Sequence, residues 1–238
     1  CQAVSGTPET ALPVGCALEL IHAYSLVHDD LPDLDNDAER RGQPTVHIKY
    51  GVPTAILTGD ALLTEAFRIL ADPTWAVAPA IQVRAIALVA EAAGAAGMVG
   101  GQQYDIDAAH TPPSPAEVGR LHAMKTGALF RAAVVGGGIA GAASVDELAA
   151  LERYGRCVGR AFQLTDDLLD LLEAGGAGDG ATGDAHEDAV NLAVHLGADS
   201  VRIEAEQQVA HALDAVARFG DRGRVLAAIA RFIRDRDV

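Results

Sequence analysis

Apolar residues recur at three- and four-residue intervals along almost the whole chain. From Glu9 to Asp30, Val14, Ala17, Leu18, Ile21 and Leu26 fall on that spacing, which predicts a helix. Pro32 ends or kinks it, because proline has no N–H to give and its ring clashes with the preceding turn. Thr54 to Leu70 repeats the pattern as far as the break at Asp72-Pro73. Val83 to Gly97 repeats it again, ending in the glycine-rich run Gly97-Met98-Val99-Gly100-Gly101. Ser114-Pro115-Ala116-Glu117 is a helix start, with a serine cap and proline at the first helical position, and the helix runs on towards Gly136. Ser144-Val145-Asp146-Glu147 opens another, to about Glu173. Gly175 to Glu187 is rich in Gly, Asp and Ala and reads as a loop; Asp188 to Leu196 is a short helix. Two amphipathic helices, Ser200 to Arg218 and Asp221 to Arg236, close the chain. The polar stretch Asn36 to Thr45 is a loop, and nothing alternates at period two for long enough to predict a strand. The expectation is a single all-α domain over residues 1–238.

Composition supports helices: half the chain is apolar, with Ala, Leu and Val dominant and aromatics only 4%. The formal charge of −15 opposes broad contact with nucleic acid or with anionic lipid, both of which demand positive surfaces. Cys1, Cys16 and Cys157 have no metal-ligand spacing and read as reduced thiols, so a cytoplasmic location is expected. No uninterrupted apolar run reaches membrane-spanning length; Ala132 to Ala143, apolar and glycine-rich, reads as a close helix contact. The first residue is cysteine, not methionine, so N-terminal helices are expected to be missing from this sequence.

Two acidic clusters stand out against this apolar background. They are His28-Asp29-Asp30-Leu31-Pro32-Asp33-Leu34-Asp35 and Gln163-Leu164-Thr165-Asp166-Asp167-Leu168-Leu169-Asp170. Carboxylates among Leu and Val cost free energy unless something positive meets them. Two such clusters suggest facing walls that hold divalent cations. Hard oxygen ligands suit magnesium, which bridges carboxylates to a substrate diphosphate. Asp166 and Asp170 share a helix face, with Asp167 to the side, where it can bond a metal-bound water or ligate weakly. Taken singly, each cluster has a lesser rival reading as a solvated acidic face; their related spacing makes coincidence much less plausible and favours the metal reading.

Arg40 and Arg41 follow the first cluster and present planar forks suited to phosphate, or else neutralise Asp35, Asp37 and Glu39. Lys125, inside an apolar helix beside Thr126, either snorkels or faces an anion. Gly101-Gln102-Gln103-Tyr104-Asp105 lines a cleft or caps a helix. His22, His28 and His47 have no zinc-site spacing and read as satisfied core or cleft histidines.

The run from His22 through Asp29-Asp30, Asp35, Arg40-Arg41-Gly42, Pro44-Thr45 and His47 resembles the first aspartate-rich motif of the trans-isoprenyl diphosphate synthases. Gly59-Asp60-Ala61-Leu62, Gly97 to Gln102, Lys125 to Leu129 and Phe162 to Asp170 match further motifs of that family in the same order. The likeness covers Leu12 to Asp170, is strongest to bacterial farnesyl diphosphate synthases, and weakens beyond.

That resemblance implies an antiparallel helical bundle around a central cleft, usually a homodimer, which condenses isopentenyl diphosphate with an allylic diphosphate. It implies three Mg²⁺ ions per site. Asp29 and Asp35, with Asp30 supporting and Asp33 as an extra carboxylate, would hold two of them; Asp166, helped by Asp170, would hold the third. Arg40, Lys125, Thr126 and Gln163 would meet the allylic diphosphate or the developing cation, and His22 and Arg41 the isopentenyl diphosphate. Tyr24, five residues before Asp29 and so about 7.5 Å deeper on a helix, would floor the prenyl tunnel with the small Ser25 beside it, a pattern linked to a fifteen-carbon product.

Two departures are visible. The family's upstream Gly-Gly-Lys-x-x-Arg-Pro motif is absent, and Gly175 to His195 has no lysine where the family has loop lysines, Asp184 standing near the expected place. Three readings stay open: a farnesyl diphosphate synthase; the same enzyme class with a geranyl or geranylgeranyl product; and a catalytically weak diphosphate-binding subunit of the same fold.

Overall fold

The periodic segments fold as helices. A computed structural model describes residues 1–175 and 185–236, the side chains of 173–175 and 185–187 excepted. After a short turn at Gln2–Val4 come α1 (Pro8–Asp29), a hairpin of β1 (Glu39–Arg40) and β2 (Gln43–Pro44), α2 (Val46–Tyr50) and α3 (Val52–Leu70). These are followed by α4 (Pro79–Ala93), α5 (Met98–Ala108), α6 (Pro115–His122), a π-turn over Ala123–Gly127 and α7 (Ala128–Ala140). The long α8 (Val145–Gly175), short α9 (Ala185–Val190) and α10 (Leu192–Leu196), then α11 (Ala198–Ala217) and α12 (Arg224–Arg234) complete the order. The all-α expectation holds.

The main core lies between α1, α3, α4 and α7. Val14, Ala17, Leu18, Ile21 and Tyr24 form one stripe of α1, all buried, and meet Leu70, Leu88, Val89 and Val135. Close approach of α7 depends on its glycines: a Cβ on Gly136 would stand 2.6 Å from Val14, and one on Gly138 would stand 2.5 Å from Leu151 of α8. The reading of Ala132 to Ala143 as a tight helix contact is therefore correct. A second core joins α8, α11 and α12, where Tyr154 donates to the Leu226 carbonyl at 2.7 Å. A third, around Val118, Leu164, Leu192 and Val201, ties α6 and α10 to α8 and α11.

Several boundaries differ from expectation. The stretch Asn36 to Thr45 contains a two-stranded hairpin, whose turn places Arg41 (φ 53°) and Gly42 (φ 75°) in the left-handed region that a tight hairpin turn requires. The run Gly97 to Gly101 does not end a helix but opens α5. The helix expected from Ser114 to Gly136 carries a π-turn in its middle, and the one expected over Asp188 to Leu196 breaks at Asn191, whose side chain caps α10. The Ser114–Glu117 capping box is present as read, and Ser144 with Glu147 repeats it at the start of α8. Most of the loop expected at Gly175 to Glu187, with Asp184, lies outside the described residues. By length and composition, α1 and the Pro79–Ala108 stretch are apolar enough to cross a membrane, a property not assigned from the sequence. In the fold, α1 packs its apolar stripe into the main core.

Candidate active site

The first cluster is built by the end of α1. Asp29 is its last residue, and the chain then turns back: the Leu34 N–H donates to Leu31 O at 2.9 Å, and the Asp35 N–H to Asp29 O at 2.9 Å. Asp35 therefore stands against Asp29 through a turn, not one turn further along a helix. Burial pushes the Asp29 carboxyl up to about 6; Lys125 and Arg40 pull it down, while Asp35 and Asp105 push it further up. Burial also raises Asp35, which feels the same Lys125, Arg40 and Asp105.

Asp30 differs from its neighbour. Its carboxylate is 4% exposed and ion-paired to Arg40 at 2.7 Å, and Arg40 also reaches Asp37 at 3.1 Å. The carboxylates that Arg40 meets are thus Asp30 and Asp37, where the sequence suggested Asp35, Asp37 and Glu39. Asp30 aims a guanidinium at the cluster. Arg41 is exposed at the hairpin tip, in a backbone conformation that costs a non-glycine residue about 1 kcal/mol. Thr45 donates its hydroxyl to Asp37 O at 2.7 Å, so its contact with His47 Nδ1 at 3.1 Å has the buried ring donating. His47 is the satisfied core histidine expected. His22 is exposed, Asp33 is exposed, and the Ser25 hydroxyl turns back to the His22 carbonyl.

Lys125 and Thr126 lie on the π-turn, a wide turn of the kind found at functional sites. Glycines of two different helices pack closely against it. A Cβ on Gly101 of α5 would fall 2.3 Å from the Lys125 backbone nitrogen, and one on Gly159 of α8 would fall 3.0 Å from Gly127 Cα. Lys125 is ion-paired to Asp105, so its place inside an apolar helix reflects an anion rather than snorkelling. Within the run from Gly101 to Asp105, Asp105 pairs with Lys125 and Gly101 packs against the Lys125 backbone, while Gln103 turns to Asp107 on its own helix.

The second cluster is on α8. Asp166 is half-buried and raised by burial, with Arg236 from beyond α12 at 3.5 Å lowering it; Gln163 is also half-buried and Asp170 is exposed. The Arg236 guanidinium lies 4.8 Å from the Phe162 ring centroid, and Phe162 stacks on Phe130 at 5.0 Å. Asp167, offered from the sequence as a water or weak metal contact, instead faces inward. It is 3% exposed and accepts the Leu192 N–H at 2.9 Å, while Asn191 donates to the Asp167 backbone carbonyl at 2.9 Å. Its carboxyl is pushed up to about 7 by burial. Beside it, 3.9 Å away, is His122, held neutral near 4 by burial; its Nε2–H donates to Val190 O at 3.1 Å. The charge of Lys125 is felt by Asp29 and Asp35 of the first cluster and by His122, the neighbour of Asp167.

A divalent cation fits this donor set. Asp29, Asp35 and Asp166 offer only oxygen donors, and their ionisation is resisted by burial despite nearby Lys and Arg, a deficit of positive charge that a dication would relieve. No three His, Cys, Asp or Glu side chains among the described residues are gathered closely enough to hold a metal by themselves. Other oxygens, from water or a phosphate ligand, must complete any coordination shell. His122, Asn191 and Arg236 were not singled out from the sequence as site residues; sequence-distant contacts of the fold bring them in.

The sequence profile of the polyprenyl synthetase family matches residues 1–230. A geranylgeranyl diphosphate synthase of Cyanophora paradoxa is 39% identical over the whole of this chain and 80% of its own length. A farnesyl diphosphate synthase of Geobacillus stearothermophilus is 40% identical over 71% of this chain and 58% of its own. A crystal structure of an FPP/GFPP synthase from Zymomonas mobilis superposes with a TM-score of 0.87, at 39% identity, over 98% of this chain and 79% of that one. Some relatives are matched over only about half their length, as with a chloroplast geranylgeranyl pyrophosphate synthase of Arabidopsis thaliana, 51% covered.

Proposed function

Since the chain belongs to the polyprenyl synthetase family, we propose that it is a magnesium-dependent prenyltransferase that condenses isopentenyl diphosphate with dimethylallyl or geranyl diphosphate. The observation that carries this reading is the pairing of Asp29 and Asp35 by a backbone turn, next to Lys125 and Arg40. In the reaction, the allylic carbon–oxygen bond breaks, the electron pair leaves with diphosphate, the isopentenyl double bond attacks the allylic carbon, and a proton leaves for the departing diphosphate. Bound Mg²⁺ would neutralise charge on the leaving group. Asp29, Asp35 and Asp166, with Asp170 assisting, would hold the ions. Asp30, expected from the sequence to support them, is buried against Arg40 and would orient that guanidinium instead. Lys125, Thr126, Arg40 and Gln163 would bind the allylic diphosphate, and the exposed His22 and Arg41 the isopentenyl diphosphate. Apolar walls from α1, α3 and α7 would keep water from the cation.

Tyr24, 6% exposed in the core behind Asp29, would floor the tunnel and favour a farnesyl product. A geranylgeranyl product is the second reading, supported by the names of several relatives. The family resemblance supports a homodimer. Turnover of labelled isopentenyl diphosphate by the purified protein with each allylic substrate, read by product mass, tests the activity and separates the products. No turnover with retained diphosphate binding would point instead to a catalytically weak subunit.

A further inference from the structure

Between Tyr24 and Asp29, His28 reaches two other groups in contacts that the reaction does not explain. It lies four residues after Tyr24, on the same face of α1, and immediately before Asp29. Its Nε2 is 3.1 Å from the Ile56 carbonyl of α3; a carbonyl only accepts, so the ring nitrogen is the donor. The ring then lies over Gly59, one turn along α3. A Cβ added there would come within 2.0 Å of Nε2, 2.4 Å of Cδ2 and 2.7 Å of Cε1, so the ring occupies the space a larger residue would need. The ring also meets Tyr24 nearly edge-on, with centroids 5.7 Å apart and planes at 76°. His28 is therefore fixed by α3 and in turn touches the ring of Tyr24.

We propose that His28 is a positioning residue for product length: seated between the Ile56 carbonyl and the bare face of Gly59, it fixes the orientation of Tyr24 and thereby the depth of the prenyl tunnel. The proposal rests on the reading of Tyr24 as the tunnel floor. Without the His28 edge, the tyrosine ring is free to swing into the vacated space, and the floor drops. Gly59 enters through His28 alone, as the site that must lack a Cβ for the imidazole to seat.

The test is the product spectrum of the intact protein with isopentenyl and geranyl diphosphates, for wild type, Tyr24→Ala, His28→Ala, His28→Gln, Gly59→Ala and the double variant His28→Ala/Gly59→Ala. Circular dichroism establishes which variants fold. In the folded His28 and Gly59 variants, the ratio of longer products to the wild-type product is expected to rise on the order of tenfold. The double variant should match His28→Ala rather than sum the two changes, because removing the ring removes the clash. Should Gly59→Ala fail to fold, folding of the double variant supports the same contact. His28→Gln keeps a donor but no ring edge, and carries the same expectation where His28→Ala does not fold. An unchanged spectrum in folded His28 variants, alongside lengthening in Tyr24→Ala, overturns the proposal and leaves the floor reading standing. No lengthening in Tyr24→Ala overturns the floor reading itself. Additive shifts in the double variant would show Gly59 acting independently and would also overturn it.

Discussion

The Asp35 backbone N–H donates to the Asp29 carbonyl at 2.9 Å. The turn after α1 thus brings the last aspartate of the cluster back beside the first through main-chain bonds, independent of side-chain charge. Asp35→Asn should leave this turn in place. Its melting stability is expected to stay within about 0.5 kcal/mol of wild type, while turnover falls on the order of 100-fold or more and more Mg²⁺ is needed for half-maximal rate. Thermal melts and a Mg²⁺ titration of the initial rate check this.

Asp29, the more deeply buried of the pair, carries a pKa shift in the same direction as Asp35. Burial raises its carboxyl from 3.8 to about 6, so ionisation opposes folding. The metal-free protein has its full contribution from this group below pH 4 and loses it as the pH rises through 6. Asp29→Asn removes the penalty. We expect the metal-free variant to be more stable than wild type at pH 8, by about 1–2 kcal/mol, with that advantage gone at pH 4, and to be inactive. Denaturant melts in EDTA at the two pH values measure the difference.

The buried His122 works in the reverse sense. Its pKa falls from 6.5 to about 4, mainly by burial, with Arg160 adding to the effect. The unfolded chain takes up the proton first. Stability from this group is full above pH 6.5 and is lost as pH falls towards 4, on the order of 3 kcal/mol in total. His122→Gln retains a donor for the Val190 carbonyl but cannot titrate. Its stability should fall less than that of wild type between pH 6.5 and 4, in a series of urea melts.

Gly101 marks where α5 meets the π-turn. Because its Cβ would stand 2.3 Å from the Lys125 nitrogen, which is backbone and cannot rotate aside, Gly101→Ala must move one of the two segments. A loss of about 2–4 kcal/mol is expected, and in any folded fraction a raised KM for the allylic diphosphate as Lys125 shifts. Chemical denaturation and steady-state kinetics test the two parts.

What was legible in the sequence was local. The stripe Val14, Ala17, Leu18, Ile21 is a periodicity, and the Ser114–Glu117 box is a four-residue pattern; both appear as read. The return of Asp35 to Asp29 was not legible, since it depends on the turns over 31–36 rather than on residue spacing. Nor was the inward face of Asp167. It lies between Asp166 and Leu168 on a helix covered on several sides, and among the described residues the sequence-distant Leu192 N–H gives its carboxylate a donor. Arg236 reaches Asp166 across seventy positions of sequence, a contact that spacing alone does not encode.

The claim that both acidic clusters grip one diphosphate through divalent cations is tested most directly by calorimetric binding of a non-reactive allylic thiodiphosphate. The titration is run with Mg²⁺ and with EDTA, on wild type, Asp29→Asn and Asp166→Asn. The account predicts tight binding only for wild type with Mg²⁺, with affinity falling at least about tenfold in each variant and on chelation. Equal affinity with and without the metal, or loss in one variant but not the other, would contradict it.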